Sequence, residues 1–188
     1  MGRPKQLLPV GNRPLLRQVA EGLLGPPVTA LIVVLGANAK EIAGCLEGLS
    51  VHVVINDGWE EGMGSSIRVG MEALAAVVPD SSGVVIALGD QPEISAIHVN
   101  RLLEVHRKTG RSIVASEFGG KLMPPAFFSA NYLPSLRALR GDAGARSLFG
   151  VHVNDIATVA TDQADDLDTA ADYAAYLERL RSSESQAQ

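Results

Sequence analysis

The sequence predicts an α/β domain with three layers, α/β/α, in which helices cover both faces of a mostly parallel, Rossmann-like sheet. Short, continuous apolar runs, typical of strands buried on both faces, alternate along the chain with segments of helical spacing. Strands that alternate with helices are joined by right-handed crossovers and form a parallel sheet. No internal repeat or linker divides the 188 residues. We therefore expect a single domain over residues 1–181 and a disordered polar tail over residues 182–188.

Each element follows from its local pattern. Ala30–Leu35 is a continuous apolar run that Gly36 ends, and Ser65–Val78 has apolar residues at helical spacing before Pro79. The same reasoning predicts strands at Val51–Ile55, Val84–Leu88 and Ser112–Ala115, with Val151–Val153 and Thr158–Ala160 as later candidates. It also predicts helices at Asn38–Leu49, His98–Lys108, Tyr132–Leu139, Gly144–Phe149 and Ala170–Arg181.

Composition excludes several classes of protein. The chain is 46% hydrophobic and 20% charged, as is usual for a globular domain, and no apolar run reaches the length of a membrane span. No secretory signal is visible, and a lone Cys45 excludes an intrachain disulfide and a multi-cysteine metal site. We therefore expect a cytoplasmic protein that does not associate with membranes. A net charge of -5 argues against a protein that coats nucleic acid.

Ligands of such sheets bind beyond the carboxyl ends of the strands, so the candidate binding segments are residues 36–38, 56–66 and 89–92. Asp90 directly follows a predicted buried strand, where its carboxylate suits Mg²⁺, although Asp is also a common turn residue. The loop 56–66 contains Gly62 and Gly64, which permit unusual backbone angles. Ser65 or Ser66 would cap the next helix, whose start favours anions, so this loop is either a site for a base or phosphate or an ordinary connection.

Four other segments have both a functional and a structural interpretation. Gly2, Arg3 and Lys5 resemble half of a phosphate-binding loop, or they belong to a disordered basic terminus. Asp165–Thr169 contains either a second metal carboxylate facing Asp90 or ordinary acidic residues at a helix start. Arg146 binds an anionic substrate or neutralises Asp142. The apolar segment 121–128, with Pro124 and Pro125, is either a pocket wall or core.

Taken together, these segments resemble the molybdenum cofactor cytidylyltransferase family, which belongs to the nucleotidyltransferases with glycosyltransferase-A-like folds. The resemblance runs from Met1 to about Leu177. Each block is weak alone, but their shared order is specific. The blocks are Met1–Lys5, Asn56–Ser66, Leu88–Pro92, Met123–Ala126, Arg140–Arg146 and Asp166–Thr169.

The resemblance implies transfer of CMP from CTP to a molybdopterin-type cofactor with release of pyrophosphate, and partners such as a molybdoenzyme or its maturation chaperone. It implies that Lys5 and Arg3 hold the triphosphate and that Lys5 and Asp90 are catalytic. Asp90 would also be a ligand of Mg²⁺, with Mn²⁺ as the other candidate. Asp168 would be the second metal carboxylate, with Asp166 beside it. The nucleotide-binding residues would be Gly62, Met63, Ser65 and Ser66, and the pterin side would be formed by Pro124, Pro125, Arg146 and Asp166.

The chain departs from the family pattern at its start. The family's first strand and the glycine-rich half of the phosphate loop would lie upstream of Met1, so we expect Met1 to be internal to a longer native chain. Without that strand, buried neighbours would have unpaired backbone groups. The alternatives are the same chemistry with GTP or a sugar phosphate, and a non-catalytic protein that binds the molybdenum cofactor.

Overall fold

Strands and helices alternate along residues 4–161, 167 and 169–186, which are the residues that the computed structural model describes. The strands are β1 (Pro9–Val10), β2 (Arg13–Pro14), β3 (Ile32–Leu35), β4 (His52–Ile55), β5 (Gly83–Ile86), β6 (Ile113–Phe118), β7 (Lys121–Ser129) and β8 (Ile156–Ala160). The helices are α1 (Leu15–Leu23), α2 (Ala39–Ala43), α3 (Met63–Val77), α4 (Ala96–Thr109), α5 (Leu133–Arg137), α6 (Ser147–Val151) and α7 (Ala170–Gln186). Short 3-10 turns include Lys5–Leu7 and Trp59–Glu61.

The strands pair in both parallel and antiparallel directions. β3 and β4 are parallel, as are β6 and β8, but β7 runs antiparallel between β5 and β6 in the order β5-β7-β6-β8. β1 and β2 form a small antiparallel hairpin. The α/β class is thus confirmed. The parallel character is reduced because the segment 121–128 is a strand, which the sequence analysis had not identified.

Alternate residues of β5 show the three predicted layers. Val84 and Ile86 pack into a core cluster with side chains of α3, α5 and α6, whereas Val85 packs into another cluster with α1, α4 and α7. Successive strand residues point to opposite faces, so helices cover this strand on both sides. β5 ends at Ile86, and Asp90 lies in the loop that follows it.

β3 and β5 share core contacts without sharing hydrogen bonds. Ile32 of β3 packs against the cluster that contains Val84 and Ile86, yet β3 is paired with β4 and β5 with β7 in two separate sheets. Within the described residues, each of these two strands therefore has one edge with no strand partner.

Three other elements differ from the sequence predictions. α1 was not predicted, although Leu15, Val19 and Leu23 have helical spacing and are all buried. The candidate strand Val151–Val153 is wrong: Val151 ends α6, Val153 begins a 3-10 turn, and both are exposed. α7 extends to Gln186, so residues 182–186 are helical instead of belonging to a disordered tail. No helix in the described part of the chain is long and apolar enough to cross a membrane.

Phe128 on β7 is a sensitive position in the main core. It is fully buried, stacks on Phe149 at 6.1 Å between ring centroids, and meets the ring edge of Tyr132. We expect Phe128→Ala to lower the free energy of unfolding by about 3–5 kcal/mol because it leaves a cavity. Exposed Val151→Ala should change it by less than about 0.5 kcal/mol. Urea unfolding of both variants tests this, and equal effects would contradict the packing described.

Candidate functional site

Lys5 and Asp90, 85 residues apart in sequence, meet at the carboxyl end of β5. The Nζ of Lys5 donates to Oδ2 of Asp90 at 2.5 Å. Lys5 begins a 3-10 turn. Buried Leu7 anchors this turn in the core, and a hydrogen bond from the Leu15 N–H to the Leu8 carbonyl stabilises the residues after it. Asp90 is held on the other side by the core strand. The structure thus brings together the two residues predicted to be catalytic.

The remaining oxygen of Asp90 fits a metal site. Oδ1 is buried and has no hydrogen-bond partner among the described residues. A buried carboxylate oxygen without a donor is costly, and a hard cation such as Mg²⁺ or Mn²⁺ is the natural partner of this ligand. No group of three or more His, Cys, Asp or Glu side chains able to hold a metal forms within residues 4–161, 167 and 169–186.

Three predicted site residues, Arg3, Asp166 and Asp168, lie outside the described residues. Leu167, between Asp166 and Asp168, is described: it is fully buried, and its N–H donates to the Asp90 carbonyl at 3.3 Å. Leu167, which precedes α7, therefore contacts the Asp90 loop.

Buried Asn56 organises the loop between β4 and α3. Its Oδ1 accepts from the Gly58 N–H at 3.0 Å, and its Nδ2 donates to the hydroxyls of Ser65 at 2.8 Å and Ser66 at 3.0 Å. Ser65 is itself buried and donates to the Gly62 carbonyl at 2.8 Å. The Ser65 hydroxyl therefore shapes the loop from inside. Sequence reasoning missed this role of Asn56, although a polar residue directly after a buried strand is a recognisable signal.

Two glycines of this loop allow the segment 140–146 to approach very closely. Gly62 has a φ of +113°, and a Cβ there would lie 2.6 Å from the Gly141 carbonyl oxygen. The Gly64 N–H donates to that same oxygen at 2.9 Å, and a Cβ on Gly64 would lie 2.8 Å from the Arg140 nitrogen. Backbone atoms cannot yield as a flexible side chain can, so both positions need glycine. The predicted nucleotide loop and part of the predicted pterin side are thus in direct contact.

An exposed ion pair between Glu61 and Arg68 also connects the loop 56–66 to the segment 140–146. Arg68 of α3 donates to both carboxylate oxygens of Glu61, at 2.8 and 2.5 Å, and to the Leu139 carbonyl at 2.7 Å. The Gly141 N–H also donates to Glu61, at 3.3 Å. The hydrogen bond from Arg68, with this N–H, lowers the pKa of Glu61 from 4.5 to about 2.

The other predicted binding residues differ in exposure. Met63 is 47% exposed at the start of α3 and lies next to Gly144, while Arg146 is exposed and forms no ion pair with Asp142 in the described residues. Both are accessible to a ligand. Pro124 and Pro125 are instead buried in β7, joined by a cis peptide bond, and the Pro124 carbonyl faces Gln91.

A family profile described as "MobA-like NTP transferase domain" matches residues 1–159, most of the chain. The chain belongs to this family. The family predicted from the ordered sequence blocks is thereby confirmed, as is the prediction that the protein is a nucleotidyltransferase enzyme.

Relatives and solved structures agree with this assignment. Nicotine blue oxidoreductase of Paenarthrobacter nicotinovorans is 34% identical over 155 residues, covering 78% of this chain and 73% of that protein. Rv0371c of Mycobacterium tuberculosis H37Rv, solved in complex with manganese, is 29% identical with a TM-score of 0.78, covering 94% of this chain and 93% of that one. Its homologue from Mycobacterium sp. strain JC1 is 31% identical with a TM-score of 0.79, covering 95% and 89%.

The close approach at Gly64 predicts a steric effect on stability. We expect Gly64→Ala to lower the free energy of unfolding by about 1–3 kcal/mol, because the new methyl group would meet the Arg140 backbone. Gly44→Ala is the matched control, since a Cβ there has nothing within 4 Å and its φ is -57°. Chemical denaturation measures both, and a neutral Gly64→Ala would show that the two segments do not touch as described.

The lowered pKa of Glu61 predicts a pH dependence. Because its pKa is lower in the folded state than its ordinary value of 4.5, its stabilisation is present above that pH and is lost as pH falls towards 2. Glu61→Gln should therefore destabilise the protein more at pH 7 than at pH 3. The effect is small because the pair is partly exposed.

Unfolding at both pH values measures this difference. Glu60→Gln serves as control, since Glu60 is an exposed neighbour that makes no contact with Arg68 in the described residues. An equal destabilisation by Glu61→Gln at both pH values would refute the assignment.

Proposed function

We propose that this protein transfers CMP from CTP to a molybdopterin-type molybdenum cofactor and releases pyrophosphate. The observation that carries the proposal is the contact between Lys5 and Asp90, with the second oxygen of Asp90 buried and available to a cation. The order of the sequence blocks and membership of the MobA-like family support the choice of substrates. The cytoplasm is the proposed compartment, and a molybdoenzyme or its chaperone would receive the product.

Asp90 would hold the divalent metal, with Asp168 as the proposed second carboxylate. Support for Asp168 comes from Leu167, whose N–H reaches the Asp90 carbonyl. When bound, the metal would offset negative charge that develops on the phosphates. Both Mg²⁺ and Mn²⁺ suit oxygen ligands, and the manganese complex of Rv0371c makes the second a reasonable candidate.

Lys5 would bind the triphosphate together with Arg3. An ammonium group has three N–H donors, so Lys5 can keep its bond to Asp90 and still donate to phosphate oxygens. Its side chain is 32% exposed, so a phosphate oxygen can reach it. The cation lowers the cost of bringing an anionic acceptor to an anionic donor.

The reaction is an in-line displacement that needs no covalent enzyme intermediate. A phosphate oxygen of the acceptor attacks the α-phosphorus of CTP, the bond from that phosphorus to the bridging oxygen breaks, and pyrophosphate leaves with its electron pair. The protein contributes position and charge. Exposed Met63, with Ser66 and the backbone of Gly62, would contact the nucleotide, and exposed Arg146 would contact the acceptor.

Ser65 would act on the nucleotide indirectly. Its hydroxyl is used within the loop, so it shapes the surface that the nucleotide meets. Pro124 and Pro125 would likewise support the acceptor side from beneath, because both are buried.

A second candidate function is oxidoreduction of nicotine blue, favoured by the relative named nicotine blue oxidoreductase. Transfer with GTP or a sugar phosphate, and non-catalytic binding of the cofactor, remain alternatives within the same fold. Parallel assays separate these possibilities: pyrophosphate release from CTP or GTP with each acceptor, and loss of nicotine blue colour with NADH or NADPH.

Asp90→Asn tests the role of the carboxylate. We expect kcat for pyrophosphate release to fall by at least about a hundredfold, because the metal ligand is lost without a change in shape. Asp80→Asn, at an exposed site before β5, should leave kcat unchanged. If the wild type is active and Asp90→Asn keeps its turnover, the proposed site is wrong. If the wild type shows no turnover and the Asp90→Asn variant binds the cofactor normally, the carrier alternative is correct.

A further inference from the structure

Pro124 and Pro125 form an insertion in the ladder between β6 and β7. Ala115 is paired with Ala126, but the next residue of β6, Ser116, is paired with Met123. The two prolines between them therefore have no register partner on β6. Proline has no N–H to lose, which explains why the sequence tolerates both here. Two carbonyls remain, in a buried place where each requires a donor.

Ser116 and His98 satisfy one of these carbonyls. Ser116 is fully buried and donates its hydroxyl to the Pro125 carbonyl at 2.7 Å. The hydroxyl oxygen of Ser116 also lies 2.8 Å from Nε2 of His98 on α4. A serine hydroxyl has a single hydrogen, so His98 must be the donor in that contact. Burial lowers the pKa of His98, which favours the neutral ring.

Gln91 reaches the other carbonyl. Its Nε2 lies 3.5 Å from the Pro124 oxygen, the longest link of the series, and its side chain is 5% exposed. Gln91 directly follows Asp90. A continuous series of buried polar contacts thus runs from His98 through Ser116 and the two proline carbonyls to the residue beside the metal carboxylate.

We propose that His98, Ser116 and Gln91 are positioning residues, which hold the Asp90 loop in place through the Pro124–Pro125 insertion. The inference rests on the proposed metal role of Asp90. Hydrogen bonds between buried groups favour one arrangement, because a shift that breaks such a bond leaves its donor or acceptor unpaired at low dielectric. The Asp90 backbone is fixed to Leu167 on its other side, so the proline insertion completes its support.

Mn²⁺ binding to the complete chain in the presence of CTP tests the functional consequence. Ser116→Ala and His98→Leu should each weaken Mn²⁺ binding by roughly three- to tenfold, less than the loss typical of residues that contact a metal ligand directly. The double variant should bind Mn²⁺ no more weakly than either single variant, since both changes break the same series of polar contacts. His98→Gln should restore binding, because its amide offers an N–H near the position of Nε2.

Ser129→Ala is the matched control. Ser129 lies on the same strand, and its hydroxyl is buried without a hydrogen-bond partner in the described residues. It should bind Mn²⁺ like the wild type. A loss equal to that of Ser116→Ala would overturn the proposal, as would additive losses in the double variant, because either result would indicate general destabilisation of β7.

Hydrogen exchange measured by mass spectrometry tests the same coupling without a ligand. Ser116→Ala should increase deuterium uptake in a peptide that covers residues 88–92, although the substitution lies on another strand. Unchanged uptake there would overturn the proposal, whatever happens to Mn²⁺ binding. If the wild type fails to bind Mn²⁺ at all, the proposed function fails, and the uptake alone decides whether these residues position the Asp90 loop.

Discussion

Asp90 lies where separate parts of the chain meet, and each of them contributes a different kind of restraint. Lys5 supplies a cation to one carboxylate oxygen, Leu167 supplies a backbone N–H to the carbonyl, and Gln91 connects the loop to the buried prolines. The core strand β5 holds the whole loop at the edge of the sheet. A carboxylate restrained in this way keeps its other oxygen directed to one place, which is what a metal ligand requires.

The second part of the site depends on close backbone contact. Gly62 and Gly64 let the segment 140–146 lie against the start of α3, and the pair of Glu61 and Arg68 fastens the two from outside. The proposed nucleotide loop and the proposed acceptor side are therefore one rigid unit. A transferase gains from this arrangement, because the two substrates must be aligned within a fraction of an ångström before the displacement can occur.

Much of the fold could be predicted from sequence because the buried strands have continuous apolar patterns. β3, β4 and β5 and most helices appear where the pattern placed them. β7 was missed because a Pro-Pro pair argues against a strand, and the structure accommodates it only as an insertion whose carbonyls find side-chain donors. Val151–Val153 was the opposite error: a strand was predicted where none exists, since a short apolar alternation also occurs on an exposed turn.

The site was predictable only in part. Lys5 and Asp90 were identified because charged residues stood beside recognisable loops. His98, Ser116 and Asn56 were not, since their importance comes from partners that are distant in sequence or from burial that composition does not reveal. Ser65 was assigned to the nucleotide from its position at the start of a helix, and the hydrogen bond from its hydroxyl to the Gly62 carbonyl could not be read from that position.

Calorimetry of CTP binding to the 188-residue chain, with and without Mg²⁺, tests the central claim most directly. If Lys5 and Asp90 form a triphosphate and metal site, CTP binds in the presence of Mg²⁺, and binding is much weaker without the metal or in Lys5→Ala. CTP binding that is indifferent to both Mg²⁺ and Lys5 would contradict the account, because the nucleotide would then be held elsewhere on the protein.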